Sequence, residues 1–153
     1  MRTKHHIIAL SVILLFIFQS QAQTVDTTFP KGELSTVKNH TGDIWLNELS
    51  AGDAVFDPSI AVATYGAGAK LDWHTHPGGQ VLLITQGPGY YQERGKPIRI
   101  VRKGDVIKCL PAVEHWHGAS PTSGFAYIAV TPTQKGKTIW LEPVSDKDYH
   151  SVK

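Results

Sequence analysis

Hydrophobic and polar positions alternate over short runs through most of this 153-residue chain, and only the last few residues carry a helical signal. Runs rich in β-branched and aromatic residues predict strands over Ile44 to Leu49, Ser59 to Tyr65, Lys70 to His76, Gln80 to Gln86, Gly89 to Arg94, Pro97 to Arg102, Asp105 to Leu110, His115 to Gly118, Phe125 to Thr131 and Thr138 to Leu141. Turn chemistry separates them: Gly66-Ala67-Gly68, Pro77-Gly78-Gly79, Gly87-Pro88-Gly89, Arg94-Gly95-Lys96 and Lys103-Gly104-Asp105. Short strands at this spacing predict an all-β sandwich or barrel in a single domain. Near the end, Ser145 is placed to cap one helical turn through Asp146-Lys147-Asp148-Tyr149.

The amino terminus follows a different pattern. Arg2, Lys4 and two histidines precede an apolar stretch from Ile7 through Phe18, and Ser20-Gln21-Ala22 supplies the small residues of a cleavage site. Residues 1–22 therefore read as a signal peptide cut after Ala22, too short in its apolar part for the ~18 to 20 residues of a spanning helix. The expected destination is the periplasm or the exterior, with no membrane anchor after cleavage. Residues 23–42 are polar and without period, an amino-terminal arm; 43–144 form the expected barrel and 145–153 a carboxy-terminal tail.

Composition removes some function classes. The net charge of +2 rests on Arg2 and Lys4, so the chain after the signal is balanced and shows no footprint of a nucleic-acid partner. Arg99, Arg102, Lys103 and Lys108 are spread over strands with acidic neighbours and read as a solvated face. The single cysteine, Cys109, permits no internal disulfide and reads as a small buried hydrophobe at a strand end.

The candidate chemistry lies in two His-x-His pairs, His74-Thr75-His76 and His115-Trp116-His117, which hold four of the eight histidines. On a strand, residues two apart face the same side, so each pair presents two imidazoles together, and Trp73 and Trp116 point away from them. Two histidines from one strand, Gln80 from the start of the next and His115 from a distant strand can converge in a small barrel around a divalent first-row metal. That would leave one or two positions open for water or substrate. Gln80 shares parity with Leu82 and Ile84 on the inward stripe. As a neutral oxygen donor it leaves the metal's dipositive charge uncompensated, which favours an anionic ligand. Manganese, iron, nickel and zinc all suit these donors, and three histidines without Gln80 is the alternative shell. His117 faces the same interior and is placed as a general acid or base. Tyr127 is a candidate hydrogen-bond donor to substrate.

The segment Gly68-x5-His74-x-His76-x3-Gln80-x6-Gly87 resembles the first cupin motif, G-x5-H-x-H-x3/4-E-x6-G, with Gln80 in place of the usual glutamate. Gly104-x5-Leu110-x-Ala112-x2-His115 resembles the second, G-x5-P-x-G-x2-H, with Leu110 and Ala112 in place of proline and glycine. The resemblance implies a cupin β-barrel, a double-stranded β-helix of jelly-roll type, with a metal on His74, His76, Gln80 and His115. Trp73-His74-Thr75-His76-Pro77-x-Gly79-Gln80 with Val113-x-His115-Trp116-His117-Gly118 is similar to small bacterial cupins that include manganese-dependent hydroxynitrile lyases and carboxymuconolactone decarboxylase-related proteins. This implies manganese as the ion, a small-molecule substrate, a homodimer or higher homo-oligomer, and a lyase in which the metal is the Lewis acid and His117 moves the proton. A metal-dependent dioxygenase and a non-catalytic small-ligand-binding cupin are the alternatives. Two departures bear on the reaction: the strand Ile60 to Thr64 carries no arginine, and Tyr127 stands where a further histidine is expected.

Overall fold

The computed structural model describes residues 28–152; the expected signal peptide and the first residues of the arm lie outside them. Along the chain run β1 (Glu33–Leu34), β2 (His40–Thr41), β3 (Ile44–Ser50), β4 (Pro58–Tyr65), β5 (Lys70–Leu71), β6 (His74–Thr75), β7 (Gln80–Gln86), β8 (Gly89–Glu93), β9 (Arg99–Val101), β10 (Val106–Cys109), β11 (His115–Ala119), β12 (Phe125–Pro132), β13 (Ile139–Trp140) and the single turn α1 (Asp146–Tyr149). Ser145 caps α1, its hydroxyl accepting from the Asp148 amide. Among the described residues no helix is long and apolar enough to cross a membrane.

The strands form two antiparallel sheets. One is ordered β1-β3-β4-β12-β7-β10; in the other, β13-β6-β11-β5-β2 form the main path and β8 joins β11 to β9. The run from Lys70 to His76, expected as one strand, is interrupted: β5 and β6 both pair with β11, at Gly118↔Lys70 and His115↔His74. Between them the Asp72 amide donates to the Asn39 carbonyl and the Trp73 amide to the Glu142 carbonyl. The arm and the carboxy-terminal segment therefore take the backbone donors that a continuous ladder would have used.

The facing sides of the sheets enclose the main core, which includes Ile44, Ala63, Tyr65, Leu82, Ile84, Val101, Ile107, Cys109, Phe125 and Tyr127. Cys109 is buried, as expected, and burial pushes its thiol up to about 12, so it is an inert packing group. A second cluster lies on the other side of the histidine strands: Trp73, Trp116, Val144 and Tyr149, with Tyr90, Ile98 and Leu141 packed against them. The alternation of tryptophan and histidine along the two His-x-His runs thus divides one strand pair between a cavity face and an outer core. Arg94 lies over the Trp73 ring at 3.9 Å and pairs with Glu114 and Glu142, closing that core at its rim. Arg99, Arg102, Lys103 and Lys108 are exposed.

Trp116 is fully buried and its indole N–H donates to Gln92 at 2.7 Å. Trp116→Ala is expected to cost about 3–5 kcal/mol of stability through the cavity it leaves, measured as a shift in the urea unfolding midpoint at unchanged slope.

Candidate metal centre

Each of the two motifs opens on a glycine turn one short strand ahead of its histidine pair. Gly68 and Gly104, which open the two motifs, have φ of +78° and +93°, a region open to glycine at little cost. Ala112, at the place of the usual glycine, also has positive φ, +56°, and its amide donates to the His76 carbonyl at 3.0 Å. The second motif keeps its bend despite the substitution, because that bend ties the approach to β11 directly to the first histidine pair.

His74 and His115 are register partners across β6 and β11, with ring centroids 4.4 Å apart. Each is held in the same way. His74 Nδ1 lies 2.8 Å from the Asp72 carbonyl and His115 Nδ1 lies 2.8 Å from the Val113 carbonyl. A carbonyl oxygen only accepts, so both Nδ1 atoms carry the proton and both Nε2 atoms present a lone pair. This main-chain hold on the second nitrogen is how metal-binding imidazoles are oriented.

His76 lies beside them, its centroid 5.1 Å from His74 and 5.4 Å from His115, with Nδ1 3.1 Å from the Thr138 hydroxyl. Gln80 donates its Nε2 to the Thr131 hydroxyl at 2.9 Å. Among the described residues the buried atoms His76 Nε2, His115 Nε2 and Gln80 Oε1 have no hydrogen-bond partner. Gln80 also lies close enough to His76 to act on its imidazole, and buried polar atoms gathered in this way fit a cation better than they fit an apolar interior. His117, fully buried, also lacks a partner on either ring nitrogen among the described residues. Its ring lies 5.2 Å from His74 and 5.9 Å from His115, and one ligand atom from each of His74, His115 and His117 lies within 4.8 Å of the others. Ring contacts link all four paired histidines and Gln80 lies beside His76, but the compact donor set is His74, His115 and His117, and the expected ligand His76 lies outside it.

Burial, reinforced by the neighbouring imidazoles, holds His74 and His117 well below the ordinary histidine range, and burial lowers His115. Burial and the charge of His115 bring His76 down to about 4. At neutral pH all four are therefore uncharged and able to offer lone pairs.

A cavity of about 210 Å³ opens onto this cluster. His74, His76, Gln80 and His117 reach it, as do Ala61, Ala63 and Ala129, which leave one wall shallow; Ser35, Val37, Asn39 and His40 of the arm form part of its side. His115 stands behind the lining. Tyr127 lines the cavity and lies perpendicular to His117 at 5.0 Å, with its hydroxyl 2.6 Å from that of Tyr65. Burial raises both phenols, so they act as neutral donors. Tyr65, Thr131, Thr138 and His40 were not among the residues expected at the site. Tyr65 ends a strand of cavity-facing parity with Ala61 and Ala63, a signal the sequence did carry; the others depend on long-range pairing.

The AraC-like ligand binding domain family matches residues 58–147, which span both histidine pairs and the strands between them. The chain belongs to this family of cupins. The cupin is 39% identical over 97 residues to an (R)-mandelonitrile lyase of Granulicella tundricola, a match covering 61% of this chain and 74% of that one. It is 37% identical to a cupin-like protein of Thermotoga maritima whose crystal structure superimposes with a TM-score of 0.80, covering 84% of this chain and 98% of the other. A cupin 2 conserved barrel domain protein from Rhodopseudomonas palustris, 18% identical, has a TM-score of 0.58 over 70% of each chain and supports the fold alone. The histidine cluster and these relatives together point to a divalent metal ion in the cupin's cavity.

Proposed function

We propose that this cupin is an exported, metal-dependent lyase of small organic substrates, acting in the manner of a hydroxynitrile lyase. The observation that carries the reading is the pair of carbonyl-fixed imidazoles, His74 and His115, opposed in register so that each carries its proton on Nδ1 and keeps its lone pair on Nε2, beside His76 and Gln80. These four residues would hold the ion, manganese first, with iron, nickel or zinc also suited to the donors. When bound, the metal supplies Lewis acidity toward a substrate oxygen.

The remaining steps belong to the chain's own side chains. His117, neutral and buried beside the cluster, takes the hydroxyl proton of a cyanohydrin as its carbon–carbon bond to cyanide breaks and the carbonyl forms, then returns that proton to cyanide. Tyr127 donates its hydroxyl to the substrate, and Tyr65 holds that hydroxyl in place. Ala61, Ala63 and Ala129 leave room for the apolar body of the molecule. Export to the periplasm or beyond follows from the amino-terminal signal, and a homodimer or higher homo-oligomer from the resemblance to small cupins.

A second reading has its own observation: the compact set His74, His115 and His117 would make His117 a third ligand in place of His76 and Gln80. In the principal reading, the mature protein releases benzaldehyde and hydrogen cyanide from mandelonitrile, loses this activity on chelation, regains it with Mn(II), and consumes no oxygen. Cleavage that survives full chelation would overturn the metal role; oxygen uptake with a chelating phenol or diketone, without cleavage, would favour a dioxygenase.

A further inference from the structure

Gln80 differs from the other donors in having two chemically distinct ends of nearly the same shape. Its amide must turn the oxygen toward a cation and the NH2 away from it, and the amide itself has no steric preference between the two. His74 and His115 are settled by main-chain carbonyls two residues before them in sequence. Gln80 has no such local acceptor among the described residues; its NH2 reaches across the sheet to Thr131 Oγ1 at 2.9 Å. Strand pairing makes this possible: β12 pairs with β7 through Val130↔Val81, and Thr131 and Gln80 are the next residues along. With the NH2 so engaged, the other end of the amide, Oε1, is buried, and Gln80 acts on the His76 imidazole beside it.

We propose that Thr131 is a positioning residue of the metal centre, whose hydroxyl accepts the Gln80 NH2 and thereby presents the Gln80 oxygen as a ligand. The proposal rests on the metal reading above and sharpens it, because it requires Gln80 to be a working ligand. A glutamate at this position would have no NH2 to place; with glutamine, an oxygen on the metal leaves a buried NH2 that must find an acceptor or lose binding free energy. Of the two strands that flank Gln80, β10 offers Cys109 opposite it and β12 offers Thr131, and among the described residues only Thr131 accepts from the Gln80 NH2.

The test titrates metal-free protein with Mn(II) and reads the dissociation constant and the Mn(II) electron paramagnetic resonance spectrum. Thr131→Val keeps the shape and removes the hydroxyl; it is expected to weaken binding by about 10-fold, within the ~10–100-fold range for loss of a group that orients a ligand. Thr131→Ser, which keeps the hydroxyl, is expected to bind as the wild type does. In a Gln80→Ala background, Thr131→Val is expected to add nothing, because the amide it serves is gone. Thr131→Ala provides a second deletion of the hydroxyl should the valine variant fail to fold, with thermal melting of the metal-free proteins as the folding check. Wild-type affinity in both hydroxyl deletions, or an equal loss with and without Gln80, would overturn the assignment while leaving the metal reading intact. A wild-type protein that binds no Mn(II), Fe(II) or Zn(II) would overturn both.

Discussion

His115→Ala is expected to reduce Mn(II) affinity by more than about 100-fold, beyond the range for residues that only orient a ligand. Three observations single out this histidine. It is completely buried, its tautomer is fixed by the Val113 carbonyl, and it faces His74 directly across β6 and β11. It also stands behind the cavity lining, so its removal takes away a donor without reshaping the surface a substrate touches. The variant should still fold, since its ring stacks against polar neighbours and the adjoining outer core of Trp73 and Trp116 is untouched. Dissociation constants from competition with a chelator measure the effect; an unchanged constant in a folded variant would remove His115 from the shell.

His117→Ala separates the two readings of the cluster. With His117 as proton carrier, kcat for mandelonitrile cleavage is expected to fall by about 10²- to 10⁴-fold, the usual worth of a positioned acid or base, while metal content stays at the wild-type level. With His117 as third ligand, metal is lost along with turnover, and His76→Ala instead leaves binding intact. Both variants, assayed for metal and for cyanide release, give opposite patterns under the two readings. His117 has no hydrogen-bonding partner among the described residues, so its loss breaks no structural bond and the comparison reports on the site.

Much of this arrangement was legible along the chain, for a physical reason: β-strand parity is local. The spacing of two in each His-x-His run placed both imidazoles on one face and sent Trp73 and Trp116 to the other, where they meet at 6.5 Å in the outer core. The stripe Gln80, Leu82, Ile84 likewise ran inward, and Ser145 capped its turn. What parity could not supply was pairing between distant strands. The break at Asp72-Trp73 depends on Asn39 and Glu142, each remote in sequence, claiming two amides. The Tyr65 contact with Tyr127 follows from β4 lying beside β12, and the Thr131 bond to Gln80 from β12 lying beside β7. The arm's place at the cavity wall had no sequence period behind it at all, because residues 35–40 are held by individual contacts rather than by a repeating face.

If this cupin is built around a resident divalent ion, elemental analysis of the protein, purified without a histidine tag and after extensive dialysis, will find it. About one first-row divalent ion per chain is expected, manganese in the lyase reading, held by wild type and lost in His115→Ala. A folded wild-type protein that retains no transition metal and takes up none on addition of Mn(II), Fe(II), Ni(II) or Zn(II) would contradict it.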